Sequence, residues 1–328
     1  MTRYIIGVDL GGTNIVVGAM PEDGSRQLAM RSQPTRSERG AEAVTDLIGS
    51  MIRETLAAVR EETGARREDF LGVGIGAPGP LDRERGLVIV APNLGWRDYP
   101  LRDRVHDAVG LPSTLDNDAN CATVGEWWRG AAKGGRNVVG LTIGTGIGGG
   151  LVIDGKLYHG ASDVAGEFGH TTIDSTGRRC KCGNYGCLEA YASGPAIADR
   201  AREALWDGAN SRMLQLVGGE PALITAQTVY DAAEQGDEIA REVVRDTARF
   251  LGTGIANLLN GLNPDVVVIA GGVTQAGDAL FEPLRNEVKK RAFKPAVQAC
   301  RIVPGALPGT AGVVGAVATF KMQTLGGV

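Results

Sequence analysis

A pattern of strand, glycine-rich turn and strand occurs twice in this chain and constrains its fold more than any other feature. Residues 4–19 comprise two apolar segments that flank Gly11-Gly12-Thr13-Asn14, which predicts a β-hairpin. Residues 137–153 repeat that order around the glycine-rich residues 144–150. The repeat predicts a duplicated α/β fold. The backbone N–H groups of both turns could bind phosphate.

Apolar periodicity elsewhere alternates between helices and strands. The predicted helices span residues 41–63, 195–205, 228–235, 238–262 and 311–318, and the predicted strands span residues 70–77, 111–115 and 265–270, with a further strand and a loop in residues 86–96. A hairpin followed by a helix and a strand is the usual opening of an α/β domain. The length of 328 residues exceeds what one core usually fills, so we expect two domains.

Charge and composition exclude several classes of function. The net charge of −4 comes without a block of Lys and Arg, so we expect no nucleic-acid partner. No apolar run reaches the ~18 residues of a membrane span, so we expect no membrane partner. The first residues lack the features of a signal peptide. We therefore expect a cytoplasmic protein whose cysteines are reduced.

A carboxylate lies where the strand of residues 111–115 gives way to helical periodicity. The stretch at this point reads Asp116-Asn117-Asp118-Ala119-Asn120. Asp118 could be only an N-cap, because Asp accepts hydrogen bonds from the first N–H groups of a helix. The glycine-rich turns and a cysteine cluster elsewhere favour a second interpretation, in which Asp118 belongs to a phosphoryl-transfer site.

The turn at residues 144–150 matches parts of two nucleotide-binding motifs, but its surroundings fit neither. Gly144, Gly146 and Gly149 have the spacing of a dinucleotide fingerprint, which must open a helix, whereas the following residues predict a strand. Lys156 stands where a P-loop lysine would, but Leu follows it instead of Ser or Thr. A hairpin whose N–H groups bind phosphate agrees with both observations.

Three of the five cysteines lie within eight residues: Cys180, Cys182 and Cys187. His170 precedes them by ten residues. Disulfides are disfavoured in a reduced compartment, so a Cys3His zinc site is the favoured interpretation. Four protein ligands leave no coordination position for water, so the metal should be structural. We expect its loss to loosen the surrounding loop and to leave the glycine-rich turns, predicted to be distant, unchanged. The remaining cysteines, Cys121 and Cys300, are expected to be inert core residues.

Four further side chains each have two possible roles. Asp9 lies at the end of the first strand, beside Gly-Gly-Thr. It is either a hairpin residue with no further role or a carboxylate that faces the metal ion of a bound nucleotide. Asn93 is either a turn residue or a contact to a hydroxyl. Glu167 and Glu189 flank the cysteine loop and are either solvated or accept hydrogen bonds from sugar hydroxyls.

With these motifs in this order, the chain resembles the ROK family (repressors, open reading frames and kinases), most closely its glucokinases, over nearly its full length. The resemblance rests on residues 9–14, 116–120, 142–150 and 166–170 and on the cysteine cluster. It implies an actin-like ATPase (ribonuclease H-like) fold, in which two α/β domains close on a sugar and ATP. Residues 1–117 and 310–328 would form the smaller domain, and residues 118–309, with the zinc loop, the larger one.

The resemblance also implies residue roles, with Asp118 as the catalytic base at the sugar 6-hydroxyl. The candidate sugar contacts are Asn93, Asn117, Asp118, Glu167, His170 and Glu189, of which Asn93 rests on its residue type alone. The candidate nucleotide-binding residues are Asp9, Gly11, Gly12, Thr13, Asn14, Thr142, Gly144, Thr145, Gly146, Gly271 and Gly272. The zinc ligands would be His170, Cys180, Cys182 and Cys187.

The implied activity is ATP-dependent phosphorylation of glucose to glucose 6-phosphate, with Mg²⁺ beside the nucleotide and structural Zn²⁺. Two alternatives stay open: a kinase for fructose, mannose or an N-acetylhexosamine, and a non-catalytic sugar sensor that acts by binding a partner. Polyphosphate as the phosphoryl donor also stays open. Family repressors carry a DNA-binding region ahead of the first strand, whereas this sequence starts at that strand, which favours the kinases. A homodimer or homotetramer is expected.

Overall fold

The chain contains both strands and helices, as the apolar pattern predicts. The computed structural model describes residues 2–205 and 210–328. The strands are β1 (Tyr4–Leu10), β2 (Asn14–Pro21), β3 (Leu28–Pro34), β4 (Phe70–Ala77), β5 (Leu81–Asp82), β6 (Leu87–Ala91), β7 (Trp96–Tyr99), β8 (Ser113–Asn117), β9 (Val138–Ile143), β10 (Ile147–Ile153), β11 (Lys156–Leu157), β12 (Val266–Ala270) and β13 (Arg301–Pro304). The helices are α1 (Ala41–Thr63), α2 (Leu101–Val109), α3 (Asp118–Arg129), α4 (Glu189–Ala192), α5 (Gly194–Ala204), α6 (Arg212–Leu216), α7 (Ala226–Glu234), α8 (Glu238–Leu262), α9 (Asp278–Arg291), α10 (Lys294–Ala299) and α11 (Ala311–Leu325).

Contacts divide the chain into two units. Unit 1 comprises Met1–Gly134, Gly150–Gly166 and Ala306–Val328, and unit 2 comprises Gly135–Gly149 and Glu167–Gly305. The predicted boundary at residue 118 differs from this division, because α3 packs against α11 and belongs to unit 1.

Unit 1 contains a mixed sheet of order β3-β2-β1-β4-β8. β1 and β2 form the predicted antiparallel hairpin, whereas β1, β4 and β8 are parallel. Their carboxyl ends therefore meet at one edge of the sheet, where Asp9, Gly79 and Asn117 lie. Short strands β5, β6 and β7 form a second sheet, and the apolar faces of α1 and α2 cover the core.

The long helices have clear stop and start signals. α1 keeps its predicted limits and ends at Gly64, whose φ of 72° suits glycine in the left-handed region. α8 also keeps its predicted limits, because the Asp237 side chain accepts a hydrogen bond from the N–H of Ala240 at the start and Asn263 turns the backbone left-handed at the end.

The other five-stranded sheet has the order β11-β10-β9-β12-β13. Its parallel strands β9, β12 and β13 belong to unit 2, together with the first residues of β10. The carboxyl ends of β9 and β12 adjoin, since Ala270 is opposite Thr142. Ligands of α/β proteins bind beyond such strand ends. This edge carries the second glycine-rich turn.

Three local predictions are wrong. The turn predicted over residues 144–150 is shorter, because β10 already begins at Ile147. The helix predicted over residues 311–318 continues to Leu325. Cys300 is only partly buried, whereas Cys121 lies in the core as predicted. Among the described residues, no helix combines the length and apolar character that crossing a bilayer requires.

Candidate active site

The first glycine-rich turn is held in shape by its own backbone and by one neighbouring threonine. Gly11 donates its N–H to the carbonyl of Asn14 at 2.9 Å. The buried Thr35 donates its hydroxyl to the Gly11 carbonyl at 2.7 Å and its N–H to the Thr13 carbonyl at 2.8 Å. Residues 12–14 are exposed, so unit 1 presents a fixed backbone turn to solvent. Sequence reasoning missed Thr35.

Asn93 lies against this turn. It occupies the loop between β6 and β7, and a Cβ added to Gly12 would be 3.3 Å from the Cβ of Asn93. The neighbouring N–H of Leu94 is donated to the Ala91 carbonyl at 3.0 Å. Asn93 thus lies in a turn, which places it beside one of the candidate nucleotide-binding glycines and leaves its side chain compatible with a hydroxyl contact.

Asn117, and not Asp118, caps helix α3. The Asn117 Oδ1 accepts hydrogen bonds from the N–H groups of Ala119 at 2.9 Å and Asn120 at 3.2 Å. Asp118 is therefore not the N-cap residue, although its Oδ1 also accepts a hydrogen bond from the N–H of Ala119 at 2.8 Å. Asp118 is the first residue of α3 and is partly buried. The positive end of the helix dipole stabilises its negative charge.

Asp9 lies at the same sheet edge and interacts with Asp118. Burial raises the pKa of Asp9 to about 7, and the negative charge of Asp118 adds to the rise. The Asp9 carboxylate also contacts the first turn of α11, because a Cβ on Gly312 would be 2.1 Å from Asp9 Oδ2. A cation bound beside these two acidic side chains would offset the repulsion between their negative charges.

Asp116 is the residue at this corner that sequence reasoning left without a role. Its buried side chain accepts hydrogen bonds from the N–H of Asn117 at 2.9 Å and from Asn120 Nδ2 at 3.2 Å. His159 Nε2 lies 3.0 Å and Gln323 Nε2 3.2 Å from Asp116 Oδ2. The carboxylate thus joins β8 to α3, α11 and the loop after β11. The available signal was an acidic residue directly after the predicted strand of residues 111–115, which in the structure is part of β8.

In unit 2, the second turn and the end of β12 lie together. The N–H of Gly144 is donated to the Gly146 carbonyl at 2.9 Å, which closes the turn directly after Thr142 and Ile143. Gly271 has a φ of 101°, and a Cβ there would be 2.2 Å from the Ile143 carbonyl oxygen. The predicted nucleotide contacts on residues 142–146 and 271–272 therefore share one edge of the sheet.

Glu189 lies beside the second turn, although its loop was predicted to be distant from it. Glu189 Oε2 accepts a hydrogen bond from the N–H of Ile147 at 2.9 Å. A Cβ on Gly146 would be 2.5 Å from the same oxygen. The expectation that the cysteine loop and the turn are separate is therefore wrong.

The four predicted zinc ligands converge. One ligand atom from each of His170, Cys180, Cys182 and Cys187 lies within 4.8 Å of the others. Cys182 Sγ is 3.7 Å from Cys187 Sγ, and Cys180 Sγ is 3.7 Å from His170 Nδ1. A tetrahedron with Zn–S bonds of about 2.3 Å has edges of about 3.8 Å between sulfurs, so the spacing fits zinc.

The protonation of the thiols agrees with a cation site. Burial raises the pKa of Cys187 to about 12, whereas the N–H of Asn184 lowers the pKa of Cys182. A buried thiol with so high a pKa becomes a thiolate only beside positive charge. All five cysteines are free thiols in the structure, so the three thiols of the cluster are available as metal ligands.

His170 presents its two ring nitrogens to different neighbours. Nδ1 faces Cys180, whereas Nε2 is 4.0 Å from Glu167 Oε2. Burial raises the pKa of Glu167, the charge of Glu189 adds to the rise, and His170 opposes it. Unit 2 therefore groups the predicted sugar-contact residues Glu167, His170 and Glu189 around the metal cluster.

Two α/β units, each with a mixed sheet and a glycine-rich hairpin turn, define the architecture of the actin-like ATPases. A family model for the ROK family matches residues 5–323. The chain belongs to the ROK family, so the predicted family and fold class are confirmed.

The relatives are similar over their full length. The chain is 37% identical to a glucokinase of Halalkalibacterium halodurans over 323 residues, 98% of this chain and 96% of that protein. It is 38% identical to a glucokinase of Thermotoga maritima, covering 98% of both. Its structure resembles a ROK family glucokinase from Streptomyces griseus in complex with glucose and AMPPNP, with a TM-score of 0.81 and 36% identity, covering 96% of this chain and 98% of that one.

Proposed function

We propose that the protein is an ATP-dependent glucokinase that transfers the γ-phosphoryl group of ATP to the 6-hydroxyl of glucose. The observation that carries the chemistry is the corner between β8 and α3, where Asn117 caps the helix and the carboxylate of Asp118 lies at its first residue. The full-length similarity to glucokinases supports glucose as the acceptor.

Asp118 is suited to accept the proton of the attacking hydroxyl. Phosphoryl transfer depends on positioning and charge stabilisation more than on covalent chemistry. A general base typically contributes about 10²–10⁴-fold to the rate. Proton transfer to Asp118 as the sugar oxygen attacks in line would complete the step.

Asn117 can contribute to sugar binding while it caps the helix. Its Oδ1 is occupied by two N–H groups of α3, and its Nδ2 donates to the Gly79 carbonyl over a long 3.4 Å. An amide nitrogen carries two hydrogens, so Nδ2 retains one to donate to a sugar hydroxyl. Asn93, Glu167, His170 and Glu189 are the further proposed sugar contacts.

The nucleotide would be held by backbone and by Mg²⁺. N–H groups of the turns at residues 11–14 and 144–146 and the glycines at 271–272 would contact the nucleotide. Mg²⁺ bound with ATP neutralises charge on the phosphates. Asp9 is the proposed carboxylate for this ion, because its raised pKa shows a carboxyl that positive charge would stabilise as the anion.

Zn²⁺ is the proposed occupant of the cysteine cluster. His170 Nδ1 and the three thiolates supply the tetrahedral Cys3His donor set of structural sites. Such a metal fixes the loop and takes no part in the reaction. With Nδ1 on the metal, Nε2 of His170 has a fixed direction in which to meet a sugar hydroxyl or Glu167.

The test is ADP release measured in a coupled assay, with glucose, fructose, mannose and N-acetylglucosamine as acceptors and with ATP or polyphosphate as donors. We expect glucose with ATP to give the highest kcat/KM. A higher kcat/KM for another hexose would replace glucose as the substrate. Glucose binding without ADP release would identify a sugar sensor.

A cytoplasmic location and a homodimeric or homotetrameric assembly stay predictions, and sedimentation measures the assembly directly.

A further inference from the structure

Three contacts attach the turn of residues 144–147 to the segments around the metal cluster. Glu189 Oε2 accepts the Ile147 N–H at 2.9 Å. Gly194 donates its N–H to the Gly144 carbonyl at 2.9 Å. Gly169, next to the candidate ligand His170, is so close that an added Cβ would be 2.1 Å from the Ile147 carbonyl oxygen. We call these contacts the brace.

We propose that Glu189 is a positioning residue that couples the metal cluster to the nucleotide-binding turn. This inference rests on the proposed function, in which the turn binds ATP. Glu189 would keep the N–H groups of the turn aimed at phosphate, and the metal would keep Glu189 in place. Loss of the metal should then weaken nucleotide binding, although no metal ligand belongs to the turn.

The position of Glu189 depends on the cluster because it follows a ligand closely in the chain. Cys187 lies two residues before it, and Cys180 Sγ is 4.0 Å from Glu189 Oε1. Leu188, which lies between Cys187 and Glu189 in the chain, is buried. It donates its N–H to the Thr171 carbonyl at 3.0 Å and packs against Gly254 of α8. Metal binding by Cys180 and Cys187 therefore fixes both sides of the Glu189 carboxylate.

The hydrogen bond to Ile147 is a strong restraint on the turn. A carboxylate that accepts a backbone N–H makes a charge-assisted hydrogen bond, which is shorter and stronger than a neutral one. The turn itself is closed by the Gly144 to Gly146 hydrogen bond. Without the brace, we expect the turn to adopt several conformations. Because only some of them bind ATP, the apparent affinity for ATP falls in proportion to the fraction of molecules in a binding conformation.

The first measurement is equilibrium binding of a fluorescent ATP analogue to the full zinc-loaded chain, without sugar. Glu189→Ala should weaken binding on the order of tenfold, within the usual range for coupled sites. Cys182→Ala should lose the metal, as elemental analysis reports, and weaken binding similarly. The matched control is Glu203→Gln, which removes the exposed Arg178–Glu203 ion pair of unit 2 and should leave the affinity within about twofold.

The double variant Cys182→Ala with Glu189→Ala shows whether loss of the metal weakens nucleotide binding through Glu189 or independently of it. If the metal acts through Glu189, Cys182→Ala should weaken nucleotide binding little further in the Glu189→Ala background, because the two effects are coupled. Fully additive losses would contradict the route. Parent-like affinity in both single variants would overturn the inference while leaving the proposed kinase activity intact.

Hydrogen exchange gives a readout that does not depend on ATP binding. The Ile147 amide should exchange at least about tenfold faster in Glu189→Ala than in the parent, since its acceptor is gone. Glu189→Gln retains an oxygen acceptor and should show a smaller change, which also covers the case in which the alanine variant does not fold. Unchanged exchange at Ile147 in both variants would disprove the brace. If the parent binds no ATP while Glu189→Ala still loses protection at Ile147, the result would count against the proposed function and not against the brace.

Discussion

Three adjacent side chains at the end of β8 have different roles. Asp116 is buried among donors, Asn117 caps α3, and Asp118 carries the proposed base. The local sequence predicts this corner, because a strand-like run meets a helix-like run there. It does not predict which residue is the cap, since Asn and Asp cap helices about equally well. The observed hydrogen bonds distinguish them, because Asn117 Oδ1 accepts two N–H groups of α3 whereas Asp118 Oδ1 accepts one.

Asp118→Asn should leave the fold and sugar binding unchanged and lower kcat by about 10²–10⁴-fold. The amide is nearly isosteric with the carboxylate but cannot accept the hydroxyl proton. The matched control is Asp107→Asn, on the exposed face of α2 in the same unit. Steady-state kinetics check the difference, and a kcat near that of the parent would remove Asp118 from the role of base.

Asp9→Asn should change stability in a pH-dependent way. The folded pKa of about 7 lies above the unfolded value, so the parent loses stability as the pH rises from about 4 to about 7. The variant lacks this loss and should be more stable than the parent above pH 7, by at most roughly 4 kcal/mol. Denaturant unfolding at pH 5 and pH 8 measures the gap in free energy of unfolding between the variant and the parent, and this gap should widen with pH. A constant gap would show that Asp9 is ionised throughout.

At the scale of elements, α3 and α11 approach each other through glycines. A Cβ on Gly315 would be 1.5 Å from the Cys121 carbonyl oxygen, and one on Gly125 would be 2.2 Å from the Ala311 carbonyl oxygen. Glu126 adds a buried carboxylate that accepts the N–H groups of residues 306 and 307. These contacts attach the C-terminal segment to unit 1.

Gly315→Ala should therefore destabilise unit 1 by about 1–3 kcal/mol, the usual effect of overpacking. The matched control is Gly261→Ala, since an added Cβ on that exposed residue of α8 meets nothing within 4 Å. The control should leave stability unchanged or raise it by up to about 1 kcal/mol, because alanine favours helix. Thermal unfolding distinguishes the two, and equal effects would contradict the close helix contact.

Periodicity explains which elements the sequence predicts. α1 and α8 are long and amphipathic, so their limits agree with the prediction. α9 was not predicted, because it contains Pro283 and is strongly charged. β13 has only four residues, none fully buried, so its sequence carries little strand signal. Packing against neighbours, rather than local preference, determines such elements.

At the scale of the whole molecule, the order of the motifs carries more information than any one of them. The turns, the corner at Asp118 and the Cys/His cluster are separately ambiguous, but their order indicates the family that the full-length comparison confirms. The sequence could not predict that α3 joins unit 1 or that Glu189 reaches the turn at Ile147. Both depend on contacts between residues far apart in the chain.

The most direct test of the central claim is ³¹P NMR of a reaction that contains the purified protein, glucose and Mg²⁺–ATP. We predict a phosphomonoester resonance that matches glucose 6-phosphate and grows in step with ADP, and a rate lowered by at least about 10²-fold in Asp118→Asn. Release of inorganic phosphate without a sugar phosphate, or phosphorylation at another hydroxyl, would contradict the account.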